Sequence, residues 1–327
     1  MQQGILNSME YKKGLACAVG CSILWGILPV YWKSLQPIDP LLIMFYRLLF
    51  CFILVLFINL FLFGKKAMLE PLKKKGAKLT FFLAGILISS NWGIYIWAVN
   101  SGFIIQTSIG YYIEPLVVCI FGVVFFHEKL DKYKMTAFIL AIAGVAFMLV
   151  SYRQIPFIAI GLALTFATYA AIKKKTQVNS LLALLYETMF LAPFVLLFIS
   201  YMEFTGQGAL SSASPIQLVL LSLSGAFTAT PLMLFAMAAN RIDFITLGVT
   251  EYLSPSMSLI LGIFIYREPF DFIQLTAFIF IWIGLIIFTF GSIKKNKKET
   301  ETEENLSCIS EAEGENEKKI EHSEAHL

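Results

Sequence analysis

Long apolar stretches fill the chain almost end to end, and short polar segments separate them. Each stretch has the roughly 20 residues that an α-helix needs to cross about 30 Å of hydrocarbon. Strands of a membrane β-barrel would instead alternate apolar and polar residues over short segments, which this sequence does not do. The pattern predicts an all-α, polytopic membrane protein with ten transmembrane helices, at residues 14–34, 41–63, 79–99, 104–126, 134–151, 156–173, 181–201, 216–238, 244–265 and 272–292.

Landmark residues within these spans recur at a constant offset of 140 residues. Thr136-Ala137-Phe138 returns as Thr276-Ala277-Phe278, and nine further positions match: Tyr46/Tyr186, Gly85/Gly225, Asn100/Asn240, Tyr112/Tyr252, Pro115/Pro255, Gly122/Gly262, Glu128/Glu268, Asp131/Asp271 and Gly144/Gly284. Each copy holds five spans, and because five is odd, the second copy must enter the bilayer from the opposite side. Two inverted five-helix repeats are typical of secondary transporters, in which one structural unit supplies two gates.

The repeat also sets the expected domain boundaries. Residues 1–13 form a polar N-terminal segment, repeat 1 covers 14–151, and repeat 2 covers 152–293. Residues 294–327 begin with a lysine cluster and continue as a Glu-rich tail with almost no aliphatic residues. Such a tail buries too little apolar surface to fold alone, so we expect it to be disordered. The lysine cluster is expected to hold the last helix at an anionic membrane surface.

Composition and charge support the membrane assignment and orient the chain. Of its 327 residues, 58% are hydrophobic and the mean hydropathy is +0.75, which excludes a soluble globular protein. If the N-terminus lies inside, nineteen Lys and Arg residues fall in inner segments and three in outer ones: Lys33, Arg153 and Arg267. The positive-inside rule then places both termini in the cytoplasm.

Sequence signatures of catalysis and of cofactor binding are missing. There is no Gly-rich loop ending in Gly-Lys-Ser/Thr, so direct coupling to ATP is unsupported. Cys17 and Cys21 share a helix face, but no third ligand accompanies them, so a metal site is not expected. We therefore expect no enzyme activity, no cofactor and no nucleic-acid partner. A membrane-embedded transferase or hydrolase, the enzyme alternative, would need a nucleophile or metal set that is not visible.

The strongest local signature is Gly110-Tyr111-Tyr112-Ile113-Glu114-Pro115, followed by Gly122, His127-Glu128 and Gly144. Its echo in the second half is Glu251-Tyr252-Leu253-Ser254-Pro255, followed by Gly262, Arg267-Glu268 and Gly284. A Pro-bearing helix, a Glu at the membrane edge and a small residue one helix later resemble the EamA family of the drug/metabolite transporter superfamily. Trp25-Gly26, Tyr31-Trp32-Lys33 and Asn91-Trp92 further resemble its RarD-like branch.

The resemblance covers about residues 10–293 and implies a ten-helix permease of a bacterial inner membrane that moves small metabolites or drugs. It implies no particular substrate. Relatives in the RarD-like branch are expected to carry Asn before the first proline and Gln before the second tyrosine. Here both positions are Glu, at Glu114 and Glu251, which weakens any analogy to carriers of neutral substrates.

Four ionisable residues lie deep within predicted spans: Arg47, Glu114, Glu187 and Glu251. Each costs about 2.5–3.5 kcal/mol on insertion scales, so each is a candidate for substrate binding or coupling. Depth along the helices suggests that Arg47 neutralises Glu114 across two helices. Glu187 and Glu251 share a depth, and if they face each other, one must hold a proton. Together the four favour a cationic or zwitterionic substrate, or proton uptake.

Further candidates surround these charges, and each has a structural alternative. Tyr112, Tyr252 and Trp92 could form an aromatic cage, although most aromatics must face lipid or core. Asn91 could contact substrate or only satisfy a neighbouring helix. Ser254 belongs to a small, polar stripe beside Glu251 that could line a cavity or serve close helix packing. Pro115 and Pro255 could act as hinges, or only kink their helices.

The sequence thus predicts a secondary active transporter that works by alternating access in the lipid bilayer, with or without coupling to protons. A facilitator or importer of the same substrates remains an alternative, and so does a membrane scaffold acting through its acidic tail. The pattern specifies neither the direction of flux nor the oligomeric state.

Overall fold

The computed structural model describes residues 2–153, 156–267, 271–291 and 294. The tail predicted beyond Lys294 lies outside these residues, and so does Glu268. Helices account for nearly all of the described chain, and no strand occurs in it.

Thirteen α-helices follow one another along this part of the chain. They are α1 Gln2–Ser34, α2 Pro40–Leu62, α3 Gly64–Leu69, α4 Ala77–Asn100, α5 Ile104–Phe126, α6 Lys132–Tyr152, α7 Phe157–Thr176, α8 Ser180–Phe204, α9 Ala209–Ser212, α10 Pro215–Ala239, α11 Phe244–Glu251, α12 Leu253–Phe264 and α13 Phe272–Gly291. A 3₁₀ turn at Pro71–Lys73 follows α3.

Ten segments are long and apolar enough to cross a membrane, and they coincide with the ten predicted spans. The short helices α3 and α9 lie in connections, and α11 with α12 makes up a single span. The prediction of ten transmembrane helices is therefore confirmed. One boundary differs, because α1 begins at Gln2 and so continues through most of the N-terminal segment that was expected to precede the first span.

Polar caps set several helix starts at the edges of the apolar segments. The Asp39 carboxylate accepts hydrogen bonds from the first backbone amides of α2, whose first residue is Pro40. Asp131 caps α6 in the same way. Ser214 and Gln217 form a reciprocal capping box at the start of α10. Because a cap satisfies amides that have no partner inside the helix, it fixes where each span enters the membrane.

Contacts between the repeats show their two-fold relationship directly. A methyl group built on Gly144 of α6 would lie 3.0 Å from the carbonyl oxygen of Ala277 in α13. One built on Gly284 of α13 would lie 3.2 Å from the carbonyl oxygen of Ala137 in α6. The second contact is the first moved by the repeat offset, as a two-fold axis between the halves requires. The glycines let the two helices approach closely.

The repeats interleave rather than pack as separate bundles. Helix α2 packs against α8 and α10, α5 against α7 and α11, and α1 against α10 and α12. Equivalent tyrosines also reach across: the Tyr46 hydroxyl donates to Glu203, and the Tyr186 hydroxyl donates to the Met68 carbonyl at 2.6 Å. The buried centre of the protein is therefore formed jointly by both repeats.

The two proline-bearing spans differ in continuity. Helix α5 runs through Pro115 without interruption, whereas its counterpart divides at Tyr252 into α11 and α12. Pro255 has no N–H to donate to the carbonyl of Glu251, one turn earlier. The break in the second repeat therefore falls next to an intramembrane carboxyl.

Candidate functional site

A buried ion pair joins α7 and α8. The Lys173 ammonium lies 2.7 Å from a carboxylate oxygen of Glu187, and each side chain is only 2% exposed. The Tyr169 hydroxyl donates to the other carboxylate oxygen at 3.3 Å. Tyr169 and Lys173 are one turn apart on α7, so both point toward α8. A charge buried without a partner is costly, and this geometry supplies Glu187 with two.

The sequence analysis missed Lys173 because it stands at the end of an apolar span and was counted among loop lysines. It lies on the side of the protein at which α1 begins, which we call the N-terminal face; the other side is the opposite face. The repeat could have drawn attention to Lys173, because the offset of 140 residues makes it the counterpart of Lys33. Glu187 is thus paired with a lysine, and the hypothesis that it shares a proton with Glu251 is not supported.

Arg47 lies on α2, in the half nearer the opposite face, and packs against tryptophan rings instead of a carboxylate. Its guanidinium carbon is 3.6 Å from the ring centre of Trp92 and 5.2 Å from that of Trp32. Its Nε atom is buried and has no hydrogen-bond partner among the described residues. The ion pairs in this part of the chain include neither Arg47 nor Glu114. The predicted Arg47–Glu114 pair is therefore not formed.

Glu251 is the most isolated of the buried charges. It is 5% exposed, and neither carboxylate oxygen has a hydrogen-bond partner in the described part of the chain. The ion pairs of the described chain do not include it. Glu114 and Glu251, the two carboxyls that depart from the expected Asn and Gln, are therefore both without an ion-pair partner among the described residues.

A small cavity lies between α2, α4, α8 and α10. Its volume of about 10 Å³ is close to the minimum for one water molecule. The lining includes Glu187, Trp92 and the hydroxyl residues Ser89, Thr188 and Thr228. The Oγ of Ser89 and the Oγ1 of Thr228 are buried without a partner in the described chain.

This cavity lies on the axis that relates the repeats, because its lining contains matched positions: Leu48/Thr188, Cys51/Leu191, Ile88/Thr228 and Trp92/Leu232. Two of these pairs place an aliphatic residue of repeat 1 opposite a threonine of repeat 2. The cavity wall is therefore symmetric in position and asymmetric in polarity.

The candidate tyrosines lie in the packed interface near the axis. Tyr112 is 4% exposed and its ring packs against Phe278 with centres 4.9 Å apart. The Tyr252 hydroxyl donates to the carbonyl of Tyr112 at 2.9 Å. In this conformation both side chains serve the interface between repeats, and neither forms an open aromatic cage.

Asn91 and Ser254 lie at contacts between neighbouring helices. The Asn91 amide donates to the carbonyl of Leu162 at 2.8 Å and thereby joins α4 to α7. A methyl group built on Gly26 would lie 3.0 Å from the carbonyl oxygen of Ser254, so this part of α12 packs closely on α1. Neither Asn91 nor Ser254 lines a described cavity. Trp92, in contrast, lines the cavity between α2, α4, α8 and α10 and contacts Arg47.

A belt of charges fixes the start of α11 at the N-terminal face. Glu128 accepts hydrogen bonds from the amides of Phe244 and Ile245 at 2.7 and 2.9 Å. Asp243 caps the same helix and binds the Lys134 ammonium at 2.7 Å. Burial opposes charge on Asp243, but Lys134 outweighs it and holds the pKa of that carboxyl below its ordinary value. The cap therefore stays ionised at neutral pH.

Comparison with known proteins agrees with this architecture. The model of the EamA-like transporter family matches residues 12–150 and 154–290. An uncharacterized transporter of Bacillus subtilis, YojE, is 39% identical over 296 residues, which cover 88% of this chain and 97% of that protein.

More distant relatives share the same extent. The protein RarD of Escherichia coli is 30% identical, with 90% of this chain and 99% of RarD covered. A solved crystal structure superimposes with a TM-score of 0.64 at 16% identity, covering 85% of this chain and 98% of that one, which supports the fold alone. The chain is a multi-pass membrane protein that belongs to the EamA-like transporter family, with RarD proteins among its relatives.

Proposed function

We propose that the protein is a secondary active transporter of small zwitterionic or cationic metabolites or drugs, and that it works by alternating access. The observation that carries the proposal is Glu251, a carboxyl buried between the repeats with both oxygens unpartnered. Such a group is stable in a membrane only when it is protonated or when a cation neutralises it. Exchange between those two conditions is what proton-coupled transport requires.

Glu114 adds to this argument. Glu114 lies on α5 and Glu251 on α11, and these helices pack against each other, so two ionised carboxyls there would repel. A substrate ammonium group that arrives between them would favour release of the proton, and departure of the substrate would favour its return. Proton and substrate would then occupy the same site in turn, which is the logic of an antiporter.

The closed parts of the structure fit an alternating-access cycle. The Lys173–Glu187 ion pair holds α7 and α8 together toward the N-terminal face, and the axial cavity has room for about one water. We infer that the described conformation is occluded and that opening requires the repeats to move against each other. On the charge asymmetry of the loops, the N-terminal face is the cytoplasmic side of a bacterial inner membrane.

Reconstitution tests the coupling. Purified protein in proteoliposomes is given amino acids, polyamines and neutral aromatic drugs in turn, and proton movement is followed with a trapped pH-sensitive dye. Glu251→Gln removes the titratable group with little change in shape, and Glu70→Gln at an exposed loop position serves as the matched control. Substrate-driven proton movement should be lost in Glu251→Gln and retained in Glu70→Gln.

The alternatives have distinct outcomes in the same assay. Substrate flux that continues unchanged in Glu251→Gln, without proton movement in either protein, would indicate a facilitator. Flux unaffected by removal of residues 296–327 would argue against a scaffold that acts through its tail.

A further inference from the structure

The two repeats place charged residues at equivalent positions near opposite faces of the membrane. Lys33 of α1 corresponds to Lys173 of α7, and Arg47 of α2 corresponds to Glu187 of α8. In repeat 2 the two positions carry opposite charges and form the buried ion pair. In repeat 1 both are cationic, so the equivalent pair cannot form.

The cations of repeat 1 turn to aromatic rings instead. The Lys33 ammonium lies 3.5 Å from the ring centre of Tyr266, and Arg47 packs on Trp92. A guanidinium is always charged and presents five donors in one plane. Stacking on a ring covers its face and leaves the N–H groups at its edge, among them the buried Nε, able to bind an anion.

Repeat 1 therefore contains the cationic half of an ion pair and lacks the carboxylate that occupies the matched place in repeat 2. We propose that the carboxylate group of the substrate fills this place, bound by Arg47 and flanked by Trp92 and Trp32. The proposal rests on the transport function argued above and adds a substrate class, small zwitterions with a carboxylate and an amine.

Arg47 can be reached by such a group, because its side chain is half-buried although its Nε atom is covered. The amine of a zwitterion would need a carboxylate. Glu114 and Glu251 are intramembrane carboxyls without an ion-pair partner in the described part of the chain.

The test compares matched ligands that differ only at the carboxyl group. Purified full-length protein is titrated with L-amino acids and with the corresponding amino acid amides, and binding is followed by tryptophan fluorescence and by thermal stabilisation. Trp92, one of five tryptophans in the chain, makes the fluorescence sensitive to this site, because its ring contacts the guanidinium. The wild type should bind the acids and should bind the amides only weakly.

Two variants locate the effect. Arg47→Gln should weaken binding of the acids about 10- to 100-fold, the value of a charge-assisted hydrogen bond, and leave the weak binding of the amides unchanged. Arg47→Lys keeps the charge but loses the planar fork, so its affinity should lie between the two. Arg153→Gln, at an exposed arginine beyond the end of α6, is the control and should bind like the wild type.

Several results would overturn the subsite. These are equal binding of acids and amides by the wild type, unchanged binding of acids by Arg47→Gln, and protection by sodium chloride or phosphate alone that equals protection by the acids. Proteoliposomes separate this failure from failure of the transport function. Flux of amino acids that is insensitive to Arg47→Gln would leave a transporter without the subsite, whereas Arg47-dependent binding without any flux would leave the subsite and reject transport.

Discussion

The ends of the two repeats form the most instructive comparison in this molecule. At the N-terminal face, Lys173 and Glu187 close on each other at 2.7 Å with almost no exposure. Toward the opposite face, the matched Lys33 and Arg47 are both cations and rest against aromatic rings. The matched positions Glu187 and Arg47 differ in the sign of their charge. Repeat 2 therefore forms an ion pair where repeat 1 has two cations without a counter-charge in the described chain. Duplication supplies the scaffold, and substitution at matched positions gives each end its own chemistry.

The largest effect is expected from breaking the closed end. Glu187→Ala leaves Lys173 buried without a counter-charge, which should cost about 3–5 kcal/mol of stability. Replacing both with methionine should recover most of that loss, since an apolar pair needs no compensation. Thermal unfolding in detergent measures both variants. Lys13→Ala, which removes an exposed ion pair with Glu10, serves as a control and should cost less than about 1 kcal/mol. A double variant no more stable than Glu187→Ala would contradict this account.

A second pair of variants tests whether the two repeats are equivalent at the contact between α6 and α13. Gly144→Val and Gly284→Val each push a side chain against the backbone of the facing helix, which lies 3.0 and 3.2 Å from the first added carbon. Each should destabilise the protein by about 1–3 kcal/mol, and the two losses should be similar. Gly93→Val faces open space and controls for the lower helix propensity of valine. Strongly unequal losses at the two glycines would show that the α6–α13 contact is not symmetric in energy.

The smallest effect is expected at the unfilled end. Lys33→Gln removes an exposed ammonium from the ring of Tyr266, an interaction worth about 0.5–1 kcal/mol at such sites. The melting temperature should therefore fall far less than for Glu187→Ala, although the two positions belong to matched pairs. If both variants lost the same stability, the difference between the two ends would not hold.

The sequence predicted the architecture well because membrane helices follow simple physical rules. Backbone groups in hydrocarbon must be satisfied within helices, so length and hydropathy alone locate the spans. Recurrence of landmarks such as Gly144 and Gly284 located the repeats, and the structure shows these glycines in reciprocal contacts. The main boundary error came at α1, where polar residues near the N-terminus continue the helix.

The pairing of buried charges could not be predicted in the same way. Depth along a helix places Glu187 and Glu251 at one level, but only helix rotation decides which way each points. Lys173 was missed because a lysine at the end of an apolar span normally reaches for the interface. Arg47 was assigned to Glu114 on charge and depth, whereas in the structure its guanidinium packs on tryptophan rings. These outcomes depend on tertiary contacts between the repeats.

The hydrogen bond from Tyr252 to the carbonyl of Tyr112 joins two copies of one ancestral position. The two-fold axis relates this contact to an exchanged version, in which the Tyr112 hydroxyl would donate to the carbonyl of Tyr252. Exchanging the roles would conserve the number of hydrogen bonds, so this contact would set no intrinsic preference between two conformations related by the two-fold axis. The unequal charges at the ends of the two repeats would then decide which of the two conformations is more populated.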